Sequence, residues 1–95
     1  MDLTKYIEDE IKNNELSREL VIEMKKFSEG KDFIAGVLLD VENDEDKATL
    51  LDYIKNGEDV NYEQIILNSL WLSQQREKQD ALFKSEIWNI AHPFS

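Results

Sequence analysis

Apolar residues recur at helical spacing along almost the whole chain, and only three Gly and one Pro interrupt it. That leaves little turn chemistry for a sheet and predicts a fold made of helices. Leu3, Ile7 and Ile11 form one stripe, with Tyr6 on its flank, and Leu16, Leu20, Met24 and Phe27 form a second. At 100° per residue the two stripes are about 145° out of phase, so one straight helix cannot turn both toward a single core. Asn13 and Asn14 lie between them, and Asn is a favoured N-cap, so a break is expected there. Gly30 is expected to follow the second helix as its C′ residue.

The run 33–39 is the longest uninterrupted apolar stretch. A short buried strand would suit the Val and Ile of residues 33–41. A strand needs a pairing partner, however, and no other segment reads as one. A buried helix with Asp32 as N-cap is therefore expected. Leu50, Leu51 and Ile54 mark the next helix, with Asn43 as cap and the acids of residues 44–46 at the positive end of its dipole. Asn56 and Gly57 are expected to end it in a left-handed turn.

The strongest local signal lies at residues 60–65. Asn61 and Gln64 have capping-box spacing, and Val60 and Ile65 form a hydrophobic staple around them. The helix that follows carries Tyr62, Ile65, Ile66, Leu67, Leu70, Trp71 and Leu72 on nearly every side, which predicts a central position with neighbours all round. On that reading Trp71→Ala costs about 3–5 kcal/mol. Residues 73–80 are all polar and fit either a protruding continuation of the helix or a loop. Apolar residues then return: Phe83, Ile87, Ile90 and Ala91 on one stripe, Leu82 at its edge and Trp88 opposite. Pro93 closes the segment. The expected fold is all-α, a single domain over residues 1–95 with five or six helices bundled around 61–72. Residues 81–95 either project from it or dock on it.

Charge narrows the partners. Residues 1–63 hold 18 acidic against 8 basic side chains, which is the whole net charge of −10, whereas residues 64–95 hold three of each. Such a chain repels phosphate backbones and anionic lipid. No apolar run approaches the roughly 20 residues of a membrane span, and the acidic N-terminus does not resemble a secretory signal. The absence of Cys removes disulfides and thiolate metal sites and suits a reducing compartment. A cytoplasmic protein that does not bind membranes is expected.

The chemical motifs are weak. Asp40, Glu42 and Asp44 match the opening of a calcium loop, but Glu45 replaces its turn Gly and Leu51 its bidentate Glu. A solvated acidic helix start is the better reading. Glu8 to Glu10 and the Glu58–Asp59 pair lack the burial that separates the pKa values of a catalytic pair. His92 has no second His or Cys to share a metal. Ser17, Ser28, Ser69 and Ser73 belong to no nucleophile motif, and the three Gly are isolated. No catalytic residue, metal or cofactor is expected. Residues 44–74 have helix–turn–helix outline, yet the second helix carries no Arg or Lys before Arg76, so direct nucleic-acid binding is disfavoured.

What remains is binding. Leu82, Phe83, Ile87, Trp88 and Ile90 are the candidate interface residues, with Trp88 expected to face outward and to matter more for association than for folding. The expected function is a small, acidic, non-catalytic protein–protein interaction module of immunity, antitoxin or phage-inhibitor type. One alternative is a structural homo-oligomer, as a dimer, held by the C-terminal helix. Another is a nucleic-acid-binding regulator or DNA mimic. A basic protein at the acidic face of 1–63 is a further candidate partner.

Overall fold

The computed structural model describes residues 2–91, and side chains through residue 78. Five helices follow one another: α1 (Leu3–Asn13), α2 (Glu15–Met24), α3 (Lys31–Asp40), α4 (Asp44–Asn56) and α5 (Tyr62–Ala91). The described residues contain no strand, and residues 33–40 are helical, with Val41 as the C-cap, as the lack of a pairing partner implied.

Asn14 does two jobs at the predicted break. It terminates α1 with an extended backbone, φ −142° and ψ 118°, and its Oδ1 accepts the Ser17 N–H at 3.0 Å to start α2. Its Nδ2 also donates to Asp44 Oδ1 at 3.0 Å, tying the α1–α2 corner to the start of α4. The corner turns both stripes inward. Ile7, Leu20 and Met24 are buried, with Leu3, Ile11 and Leu16 packed against them. Ser17 is fully buried at the same corner, and its hydroxyl donates to Glu10 Oε2 at 2.9 Å.

Two helix ends differ from expectation. The α2 helix stops at Met24, and the turn after it places Phe27 beyond the stripe, 37% exposed. Gly30 is consequently not the C′ residue of α2 but the N-cap of α3, and Asp32 lies within the first turn of that helix. Gly57 has φ −71°, not a left-handed value. Its reason for being Gly is space, because a Cβ there would stand 2.5 Å from the Tyr53 carbonyl oxygen. The left-handed residue of this connection is Asp59, φ 55°. Asn61 then caps α5 as its spacing predicted, accepting Gln64 N–H at 3.0 Å. Val60 and Ile65 both join the core.

Tertiary position also departs from the sequence reading. The most deeply placed helix is α3, which buries Phe33, Ile34, Ala35, Val37 and Leu38 and packs on α1, α2 and α5. The α4 helix contributes Leu50, Leu51 and Ile54 against α2 and α5. Residues 62–72 do not occupy the centre. Only Ile65 and Ser69 are buried there, with Ile66 and Leu72 half-covered. Phe33 and Tyr62 stack at 4.6 Å between ring centroids, fixing the start of α5 on α3. The helix then continues unbroken through the polar stretch 73–80 to Ala91. Its 30 residues span about 45 Å, within overall extents of 54 × 32 × 20 Å.

Candidate interaction surface

The α5 helix has two apolar faces, and the bundle uses one. On the inner side Ser69 is 0% exposed and its hydroxyl proton lies between Ile66 O, at 2.8 Å, and Asp40 Oδ2, at 3.2 Å. A residue this small lets α5 approach α3 closely. Further along, Arg76 Nη2 stands 3.7 Å from Asp46 Oδ1 and 3.8 Å from Glu45 Oε2, so the guanidinium pins α5 to the start of α4.

On the outer side, Leu67, Leu70 and Trp71 are 55%, 44% and 56% exposed. On a 3.6-residue period they fall within about 100° of arc, a continuous strip rather than scattered residues. A shallow hollow beside Leu67 and Trp71 is completed by Gln64 and Asn68. Asn68 Nδ2 donates to Gln64 O at 2.8 Å, which satisfies one polar group at the edge of the strip. This exposure corrects the expectation that Trp71 is a core residue. A helix apolar on all sides implies neighbours on all sides, but α3 and α4 cover only one side of residues 62–72. The all-round apolar pattern was itself the signal of a second face.

The predicted interface residues Leu82, Phe83, Ile87, Trp88 and Ile90 lie on the C-terminal turns of α5, outside the residues with described side chains, and His92 lies outside the described residues.

The acidic segment 40–46 has a structural role. Asn43 Oδ1 accepts Asp46 N–H at 2.7 Å, and Asn43 Nδ2 donates to Asp46 Oδ2 at 3.0 Å. Lys47 is 3% exposed and donates from Nζ to Glu42 O at 2.7 Å, with Asp44 Oδ1 at 4.0 Å. The start of α4 is thus partly buried rather than solvated, because its charged groups fold onto one another. Asp40, Asp44 and Asp46 engage Ser69, Asn14 and Asn43 respectively, and do not converge on one point. Among the described residues no group of three His, Cys, Asp or Glu could hold a metal ion. Nor is any described helix long and apolar enough to cross a membrane.

Glu8 and Asp9 are exposed on α1, and Glu58 and Asp59 are exposed in the α4–α5 connection. The candidate acid pairs therefore stay apart. Burial raises the Tyr6 hydroxyl above the usual value of 10.0, and the negative charges of Glu10 and Glu42 raise it further.

No protein-family model matches the chain, and no curated protein or solved structure matches it.

Proposed function

We propose that the chain is a non-catalytic, cytosolic protein–protein interaction module that binds through the outer face of α5. The observation that carries this reading is the exposed strip of Leu67, Leu70 and Trp71 on a helix whose inner face already anchors it to the bundle. Contiguous apolar surface containing Trp is characteristic of association sites. The charge distribution supports the same face, because residues 64–91 carry three acidic and three basic side chains while the rest of the chain holds the excess of acid. An inhibitor or immunity-type protein is the finer form of the proposal: a rigid helical body that presents one helix to a target.

The test compares affinity purification of the wild-type chain with Leu70→Glu and with Ile22→Glu, an equally polar change at a 56% exposed position on α2. The expected result is one stoichiometric protein, another copy of the chain included, retained by wild type and Ile22→Glu and lost with Leu70→Glu. Equal retention by all three overturns the reading. A basic partner released by moderate salt regardless of residue 70 moves the function to the acidic face.

A further inference from the structure

We infer that the groove between α3 and α5 is a docking pocket for one long cationic side chain, Lys or Arg, of a basic protein. That a protein carries the cation rests on the reading of α5 as an interaction surface. Along α3, Asp32, Gly36 and Asp40 follow one another at i, i+4 and i+8 and form one wall. Tyr62, Ile66 and Ser69 of α5 form the facing wall, over a floor of Phe33 and Val37. The hollow holds about 230 Å³. That is below the roughly 300–1,000 Å³ of small-molecule sites and suits a single side chain.

Two residues of the α3 wall break local rules without a gain to the fold. Gly36 lies inside a helix, where Gly is the poorest former after Pro. It does not use a left-handed backbone, and a Cβ built on it would meet nothing from the rest of the fold within 4 Å. Neither conformation nor packing calls for Gly there; its missing side chain leaves the groove open to close approach. Asp40 places a carboxylate at the C-terminal end of α3, where the helix dipole favours cations. From the fold it receives a share of one proton, because the Ser69 hydroxyl is 3.2 Å from Asp40 Oδ2 and only 2.8 Å from Ile66 O. Departures from local consistency that the fold does not offset are expected at functional sites.

Charge selects the occupant. Among the described residues, the charged ones lining the groove are Asp32 and Asp40, both acidic. Asp32 is exposed and Asp40 half-buried, about 12 Å apart along the helix axis. The surface between them is apolar. Lys and Arg have the matching form, an apolar stem with a charged head. The stem lies on Phe33, Val37 and Ile66, and the head reaches a carboxylate. Tyr62, 43% exposed, adds an aromatic surface for the cation. The net charge of −10 draws a basic partner toward the chain. Leu70 is one helical turn beyond Ile66, so the groove opens onto the exposed strip of α5. A pocket for one anchoring side chain beside apolar surface is how protein interfaces concentrate their affinity. A free amine would fill the groove and leave the strip bare.

The test is titration of the isotope-labelled full chain with N-acetyl-arginine amide at fixed ionic strength, followed by amide chemical shifts. N-acetyl-citrulline amide, the neutral isostere, is the control. The expected shifts concentrate at residues 32–40 and 62–69, with at least tenfold weaker binding of the citrulline compound. Asp40→Asn, which keeps an acceptor for Ser69, should weaken arginine binding at least fivefold. Gly36→Leu should abolish it while raising the melting temperature, because a side chain there fills only the groove. Shifts spread over the exposed acids of α1, α2 and α4, or arginine binding by Gly36→Leu equal to wild type, overturn the pocket. A peptide with one Arg between Leu residues then tests the carrier. It should bind at least tenfold tighter than the capped arginine, and Leu70→Glu should lose that gain. A gain insensitive to residue 70, or none, overturns the protein carrier. Leu70-dependent retention of a partner without arginine shifts in the groove overturns the pocket and leaves the interaction reading standing.

Discussion

Replacing Asn14 with Ala separates the bent arrangement of α1 and α2 from one continuous helix by the sign of the effect. In the bent structure the change removes the acceptor for Ser17 N–H and the donor to Asp44, each at 3.0 Å. Loss of an N-cap side chain costs about 0.5–2 kcal/mol, and the exposed bond to a carboxylate adds about 0.5 kcal/mol. The expected destabilisation is about 1.5–2 kcal/mol, a substantial part of the roughly 5–14 kcal/mol that a domain of this size possesses. In thermal melts that is a fall of roughly 6–12 °C. Were residues 3–24 one helix, Asn14 would be an interior position, and Ala, the better helix former, would stabilise by about 0.5 kcal/mol. Asn14→Ser refines the test, because Ser keeps the cap but cannot reach Asp44, so it should lose about 0.5 kcal/mol. Urea titrations followed by circular dichroism measure all three chains. An Asn14→Ala midpoint at or above wild type refutes the two-helix corner, and equal losses for Ala and Ser refute the capping role.

Three further outcomes follow from packing and titration. Gly57→Ala should destabilise by about 1–3 kcal/mol, since its Cβ would meet the Tyr53 oxygen at 2.5 Å and the Tyr53 ring at 2.7 Å; at φ −71° Ala is otherwise well tolerated, so a stabilised variant would contradict the crowding. Ile65→Ala should cost about 2–5 kcal/mol as a fully buried truncation, whereas Trp71→Ala, at a site 56% exposed, should cost only about 1–2 kcal/mol; a larger loss at Trp71 than at Ile65 would return α5 to the centre of the bundle. Tyr6 holds its proton more tightly in the folded chain than in the unfolded one, so its contribution is complete below about pH 10 and is lost as pH rises through the raised folded value. Tyr6→Phe should lack that alkaline loss, and identical slopes for both chains above pH 10 would exclude it.

Much of the local structure was written in residues close together in the chain. The α1–α2 break follows from a phase shift of apolar residues and an Asn between them. The caps at Asn43 and Asn61 follow from side chains three residues before the amides they accept from. The absence of strands among the described residues follows from an apolar segment with nothing to pair with. Helix type, phase and capping depend on neighbours within about one turn, and the sequence holds those neighbours in order.

Which face meets which helix was decided only by tertiary structure. Ser17 and Ser69 show no hydropathy signal, yet both are fully buried where helices come close. Lys47 and Asp46 read as solvated charges, and they are buried because Glu42 O, Asn43 and Arg76 come around them. On α5 the apolar residues occupy every side, so composition could not distinguish a core helix from a helix with two faces. The distinction came from α3 and α4, which are separate in sequence from α5 and cover only Ile65, Ser69 and their neighbours. The sequence determined the helices and where they begin; the long-range packing determined that Leu67, Leu70 and Trp71 stay outside, because burial is a property of the partner as much as of the residue.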